Sequence, residues 1–247
     1  MGPEDRNGSR NGHGWGAYFW PYFSFLIIVE LSGRFPESTA AWMLPIKAAI
    51  PLGLLAWYAS RRHYPELRGN RFTPGGVLQD IAVGVFGAAL WMAPFLLSDT
   101  LRPSDAEGFD PNLYGASFAW LALLVRAIGY GVATPFLEEL FVRSWLLRYI
   151  EVFDRGGDFR MVPIAQYTLR TFLVATVWFT FSHVPWEWPV AAAWFVMTQL
   201  WFYHRRQLSS LVIVHAASNL SILAFVILCD GRITDGQGAP IDLWFFV

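Results

Sequence analysis

The sequence predicts an all-α fold, a polytopic transmembrane bundle of about seven helices, and three observations carry that prediction. Of its 247 residues, 55% are hydrophobic and only 15% charged, with a positive mean hydropathy, a balance that soluble globules rarely keep. Apolar runs recur at close to the roughly 20 residues that a helix needs to cross about 30 Å of hydrocarbon. The basic residues fall on alternate sides of those runs, and positive charge concentrates in cytoplasmic loops.

Residues 1–14, MGPEDRNGSRNGHG, are polar and glycine-rich and precede the first apolar run without a small-residue cleavage site. They read as a disordered cytoplasmic tail and not as a signal peptide, which leaves 15–247 as a single transmembrane domain. The runs then place spans at 18–33, 40–60, 77–98, 116–147, 169–188, 189–204 and 209–229. The fourth is too long for one straight crossing, and Pro135 inside it predicts a kink, or a break that would make an eighth span. With seven spans, the tail and the even loops hold twelve of the 18 basic residues, whereas the opposite side holds only Arg34, Arg102 and Arg232. The amino terminus is therefore expected in the cytoplasm, and the acidic stretch 99–110 outside. The final IDLWFFV is apolar but too short to cross, which predicts an interfacial segment. Thirteen Trp, nine Tyr and 21 Phe suit the two membrane interfaces. A net charge of -1 with no basic patch excludes nucleic acid as a partner. Cys229, the one cysteine, cannot form an internal disulfide and reads as a small lipid-facing or packed side chain.

Ionisable groups in hydrocarbon cost several kcal/mol unless paired or hydrated, so those inside the spans are functional candidates. PFLEELFVRSW carries Glu138, Glu139 and Arg143; WFTFSHVPW carries Phe179 and His183; LVIVHAASNLSI carries His215 and Asn219. Residues four apart share a helix face, so each helix offers one polar stripe, and the three stripes are most cheaply buried around one cavity. Asp80 and Gln199 read as helix contacts, Glu30 and Lys47 as a pair, and Arg126 as a side chain that snorkels or meets one of the glutamates.

Glu-Glu-x-x-x-Arg, Phe-x-x-x-His and His-x-x-x-Asn, in this order on successive apolar helices, resemble the CPBP family of intramembrane proteases, which includes the CAAX prenyl endopeptidases and bacterial relatives linked to bacteriocin processing or immunity. The resemblance covers residues 116–229, the catalytic core it implies, with no motif position substituted. The long arginine-rich connection from Arg148 to Arg170 departs from it and predicts a different substrate entry. The implied activity is hydrolysis of a peptide bond in a membrane-anchored or membrane-adjacent peptide or protein, by a multi-pass protein of a bacterial cell membrane.

Such hydrolysis needs an activated water, a donor for the oxyanion and a proton for the leaving amine. Glu138 is expected to be the general base. Glu139, held ionised by Arg143, fixes the helix and could lend a second carboxylate to the water. His183 and His215 leave two readings open. With Glu138 they make a His₂Glu set of the kind that holds catalytic zinc, Zn2+, with water in the open position; without a metal they orient the water and stabilise the oxyanion directly. Asn219 is assigned as the oxyanion donor, and Phe179 packs around His183. An ion-coupled transporter built on the same buried charges, or a catalytically silent immunity or binding member of the family, are the rival functions.

Overall fold

The computed structural model describes residues 14–68, 72–103 and 108–247; residues 1–13 of the expected tail and 104–107 of the expected external loop lie outside them. Among the described residues seven helices form: α1 Gly16–Ser32, α2 Ala40–Ser60, α3 Pro74–Leu97, α4 Ala116–Arg155, α5 Leu169–Phe181, α6 Trp188–Arg205 and α7 Leu208–Cys229. No strand forms among the described residues, only one bridge between Thr234 and Pro240. Helices α2, α3, α4 and α7 are long and apolar enough to cross a membrane, and α1 and α5 are shorter apolar helices. The chain is an integral membrane protein with an all-α bundle.

Local chemistry sets the helix ends. Thr73 caps α3 by accepting the Gly76 N–H at 3.1 Å, with Pro74 at the first helical position, where a missing N–H costs nothing. Thr168 caps α5 in the same way through the Thr171 N–H. Helix α5 stops at Phe181, short of the expected 188. Pro185 pushes Val184 into extended backbone at φ -67°, ψ 149°, as proline does to the residue before it. His183 therefore sits in the connection after α5 and not on the helix.

Pro135 does not divide α4, so the eighth span does not form. The turn Gly129–Ala133 before it is a π-helix, whose wider winding relieves the clash between a proline ring and the carbonyl one turn back. A second π-helical stretch runs from Glu139 to Leu146. At 40 residues α4 is about 60 Å long by helical rise, about twice the roughly 30 Å of a hydrocarbon core.

Packing follows small residues and buried ion pairs. Gly84 brings α3 against α7 so closely that a Cβ there would collide with the Val214 carbonyl oxygen, the small-residue contact by which membrane helices approach. Asp80, fully buried, accepts from the Trp201 indole at 2.8 Å and pairs with Arg205 at 3.1 Å, clamping α3 to α6. Arg148 pairs with Glu66 at 3.5 Å, joining the α2–α3 connection to α4, and lies over the buried Phe159 ring of the Arg148–Arg170 connection. Glu30 bonds Arg34 one turn on, at 2.7 Å. One apolar cluster joins α1, α4, α5 and α6; a second joins α3, α7 and the carboxyl-terminal segment.

Candidate functional site

A cavity of about 250 Å³ opens between α3, α4, α6 and α7, and Glu138, His183, His215 and Asn219 line it together. Three separate stretches of sequence are thereby brought to one place. Glu139 and Arg143 stand one layer behind.

Glu139 is 1% exposed. Its Oε1 accepts from His215 Nδ1 at 2.9 Å and from Arg143 Nη1 at 3.3 Å. It does not reach the cavity, so it lends no second carboxylate to a water there. Arg143, wholly buried, also donates through Nη2 to Thr198 Oγ1 at 2.8 Å and lies 4.1 Å over the Phe195 ring. The guanidinium thus fixes the carboxylate, and the carboxylate fixes the imidazole.

Both histidines are oriented alike. His183 Nδ1 lies 2.8 Å from the Phe179 carbonyl oxygen, which can only accept, so Nδ1 carries a proton and the neutral ring has its lone pair on Nε2. Glu139 imposes the same tautomer on His215. The Trp188 indole donates to the His183 carbonyl at 2.9 Å, and the Phe179 ring packs 4.6 Å from the His183 ring, the shaping role expected of it. Trp194 packs edge-on to His215 at 4.8 Å and donates to Ser218 at 3.1 Å. Asn219 donates through Nδ2 to the Tyr130 carbonyl at 2.8 Å, which uses one of the two N–H bonds of its amide.

The donor set suits zinc in kind, because metal-bound histidines are held by their other ring nitrogen in this manner. It does not suit zinc in spacing. Among the described residues no three His, Cys, Asp or Glu side chains are gathered closely enough to hold an ion. As they stand, Glu138, His183 and His215 share a cavity and do not form a coordination shell.

Some lining residues escaped the sequence, Tyr130 and Thr134 on α4 among them. Arg126, Tyr130, Thr134 and Glu138 all face the cavity at intervals of four along α4. An α-helix drifts about 40° at each such step, and the π turn at Gly129–Ala133 offsets part of that drift; the four-residue rhythm was the available signal. The carboxyl-terminal segment packs inward against the bundle. Asp230 accepts from the Leu243 N–H and the Trp244 indole, at 3.0 and 2.9 Å, and turns the chain inward. Phe245, Phe246 and Val247 then wall the cavity.

Glu187 also lines the cavity, in the connection between α5 and α6. Burial pushes its carboxyl up to about 7, offset in part by bonds to Val184 and the Trp91 indole. The folded chain holds this proton more tightly than the unfolded chain does. The resulting stability is full below about 4.5 and is lost as pH rises through about 7. Thermal unfolding in detergent is expected to show wild type losing up to about 3 kcal/mol more than Glu187→Gln between pH 5 and 8. Parallel pH profiles for the two proteins would remove Glu187 from the account.

Residues 119–221, from α4 to α7, match the family model of Rce1-like type II CAAX prenyl endopeptidases, the protease group that the three motifs resemble. No curated protein and no solved structure gives a match.

Proposed function

We propose that this chain, whose residues 119–221 carry an Rce1-like CAAX endopeptidase domain, is an intramembrane endopeptidase that hydrolyses a membrane-associated peptide with a water activated by Glu138. The observation that supports this reading best is the meeting of Glu138, His183, His215 and Asn219 on one cavity, with both imidazoles held by Nδ1. In the proposed reaction one Nε2 lone pair accepts a hydrogen bond from the water, whose other O–H points at Glu138. Glu138 takes one proton as the water oxygen attacks the carbonyl carbon. The second N–H of Asn219 donates to the oxyanion. Glu138 then returns the proton to the amine nitrogen, the C–N bond breaks, and an acid and an amine leave. Hydrolysis in a water-poor cavity accounts for the burial of these polar groups within the bundle.

The Nδ1 anchoring of both histidines favours one second reading, in which Glu138, His183 and His215 would hold Zn2+ and the ion would supply Lewis-acid activation of the water. No step above passes through an ion. Elemental analysis of purified wild type, His183→Ala and His215→Ala decides between the two. The metal-free reading expects activity that survives chelators and no metal difference among the three. Near-stoichiometric zinc in wild type, lost in both variants, would replace that reading with the metalloprotease.

The proposed placement is a bacterial inner membrane with the amino terminus in the cytoplasm, supported by the arginine asymmetry. A reporter fused after Val247 is expected to be active outside the cytoplasm. Activity confined to the cytoplasm would reverse the topology.

A further inference from the structure

The chain's own backbone closes one side of the cavity. Phe245, Phe246 and Val247 line it, and the Tyr130 hydroxyl donates to the Phe246 carbonyl oxygen at 3.3 Å. Tyr130 stands on α4, about two turns from Glu138. An apolar segment is thus held by a main-chain carbonyl on the helix that carries Glu138, and a peptide laid along the same wall would compete for that hydroxyl. At about 250 Å³ the cavity is smaller than ordinary small-ligand sites, which hold roughly 300–1,000 Å³. A peptide placed for cleavage must also present residues on both sides of its scissile bond, so it needs the room that the segment takes.

Few bonds keep the segment there. Ile241 pairs with Ile233 across the preceding turn, its N–H donating to the Ile233 carbonyl at 2.8 Å. Beyond it, among the described residues, the hydrogen bonds from segment to bundle are those of Asp230 with the Leu243 N–H and the Trp244 indole, of the Phe109 N–H with the Trp244 carbonyl at 3.1 Å, and of Tyr130 with Phe246. The remaining contacts are apolar, such as Phe245 against Trp186 and Phe95, with ring centroids 5.9 and 6.3 Å apart. Lipid tails are as apolar as such a pocket, so burying these rings gives little drive inside a membrane. Asp230 is then the latch, since one carboxylate holds both a backbone N–H and an indole.

We infer that residues 241–247 are an autoinhibitory plug, latched by Asp230, that fills the place of the substrate strand and leaves it when a peptide binds. The inference rests on reading this cavity as the peptidase site. The affinity seen for a peptide is then its intrinsic affinity reduced by the fraction of chains whose plug is out.

The test uses the full-length chain in lipid nanodiscs and one acyl-anchored apolar probe peptide. Dissociation constants are measured on the Glu138→Gln background, and kcat and KM on chains with Glu138 intact. Asp230→Ala opens the latch. Gly108→Cys with Trp244→Cys, on a Cys229→Ser background, locks the plug reversibly: a Cβ at Gly108 would lie 3.2 Å from that of Trp244, which a shift of about half an ångström brings to disulfide spacing. The expected result is that Asp230→Ala binds the probe roughly tenfold more tightly than its parent, and lowers KM by a similar factor with kcat little changed. The oxidised cysteine pair should bind at least tenfold more weakly than the same protein after reduction, whereas Trp244→Cys alone should not respond to oxidation. Equal binding by the oxidised and reduced pair, including absence of binding by both, overturns the inference, because the segment is then a fixed wall. So does an Asp230→Ala variant whose affinity for the probe is unchanged or weaker. Cleavage that the lock does not slow would sink the plug and leave the peptidase reading standing. Binding that follows the lock and the latch, with no cleavage by any of these chains, would do the reverse.

Discussion

Glu138→Gln is expected to lower kcat for peptide cleavage by roughly a thousandfold, the scale of losing a positioned general base, with the bundle still folded. Glutamine keeps the shape and the hydrogen-bonding ends of the side chain but cannot take a proton from water. Glu138 is only partly buried and faces the cavity, so neutralising it strands no partner charge inside the protein. Turnover of a membrane-anchored peptide, measured beside thermal unfolding of the same preparation, separates chemistry from folding. A variant that keeps more than about a tenth of the wild-type kcat would move the base elsewhere on the wall, and Glu187 is the carboxylate that stands there.

Arg143→Ala is expected to cost about 3–5 kcal/mol of stability, because it leaves a buried carboxylate without its cation. Arg143 is 0% exposed and Glu139 1%, and the guanidinium serves Glu139 and Thr198 through different nitrogens. Arg143→Lys should recover only part of the loss, since one ammonium cannot reproduce a planar fork. Glu139→Gln combined with Arg143→Met should be less damaging than Arg143→Ala alone, because both charges leave together while the glutamine carbonyl still accepts from His215 Nδ1. Unfolding midpoints in detergent measure all of these. If the double variant is the least stable of the set, the pair holds the bundle by more than mutual neutralisation.

Hydropathy and loop charge were enough to place every helix, because a chain in lipid must satisfy its backbone within each segment. The expected spans 40–60 and 209–229 differ from α2 and α7 by at most one residue. The His183 boundary was legible too, in Pro185, but the apolar run through Trp188 outweighed it. The three motifs named five residues that line the cavity, Phe179 among them, and two that support them. What they could not give was depth: Glu138 and Glu139 are neighbours in sequence, yet one faces the cavity and the other lies behind His215. Pro135 announces a distortion of α4 but not its π-helical form, so the alignment of Arg126 and Tyr130 with Glu138 was legible only as a four-residue rhythm. The inward turn of Phe245, Phe246 and Val247 depends on Asp230, whose partners lie 13 and 14 residues on, beyond the reach of periodicity.

The central claim is that this chain hydrolyses a peptide bond with water activated at Glu138, and isotope incorporation tests it most directly. Purified wild type and Glu138→Gln are incubated in ¹⁸O water with a library of membrane-anchored peptides, and the products are read by mass spectrometry. The account predicts shortened peptides carrying one ¹⁸O in the new carboxyl group with wild type and almost none with Glu138→Gln. Intact peptides with wild type, or equal labelled product from both proteins, would contradict it.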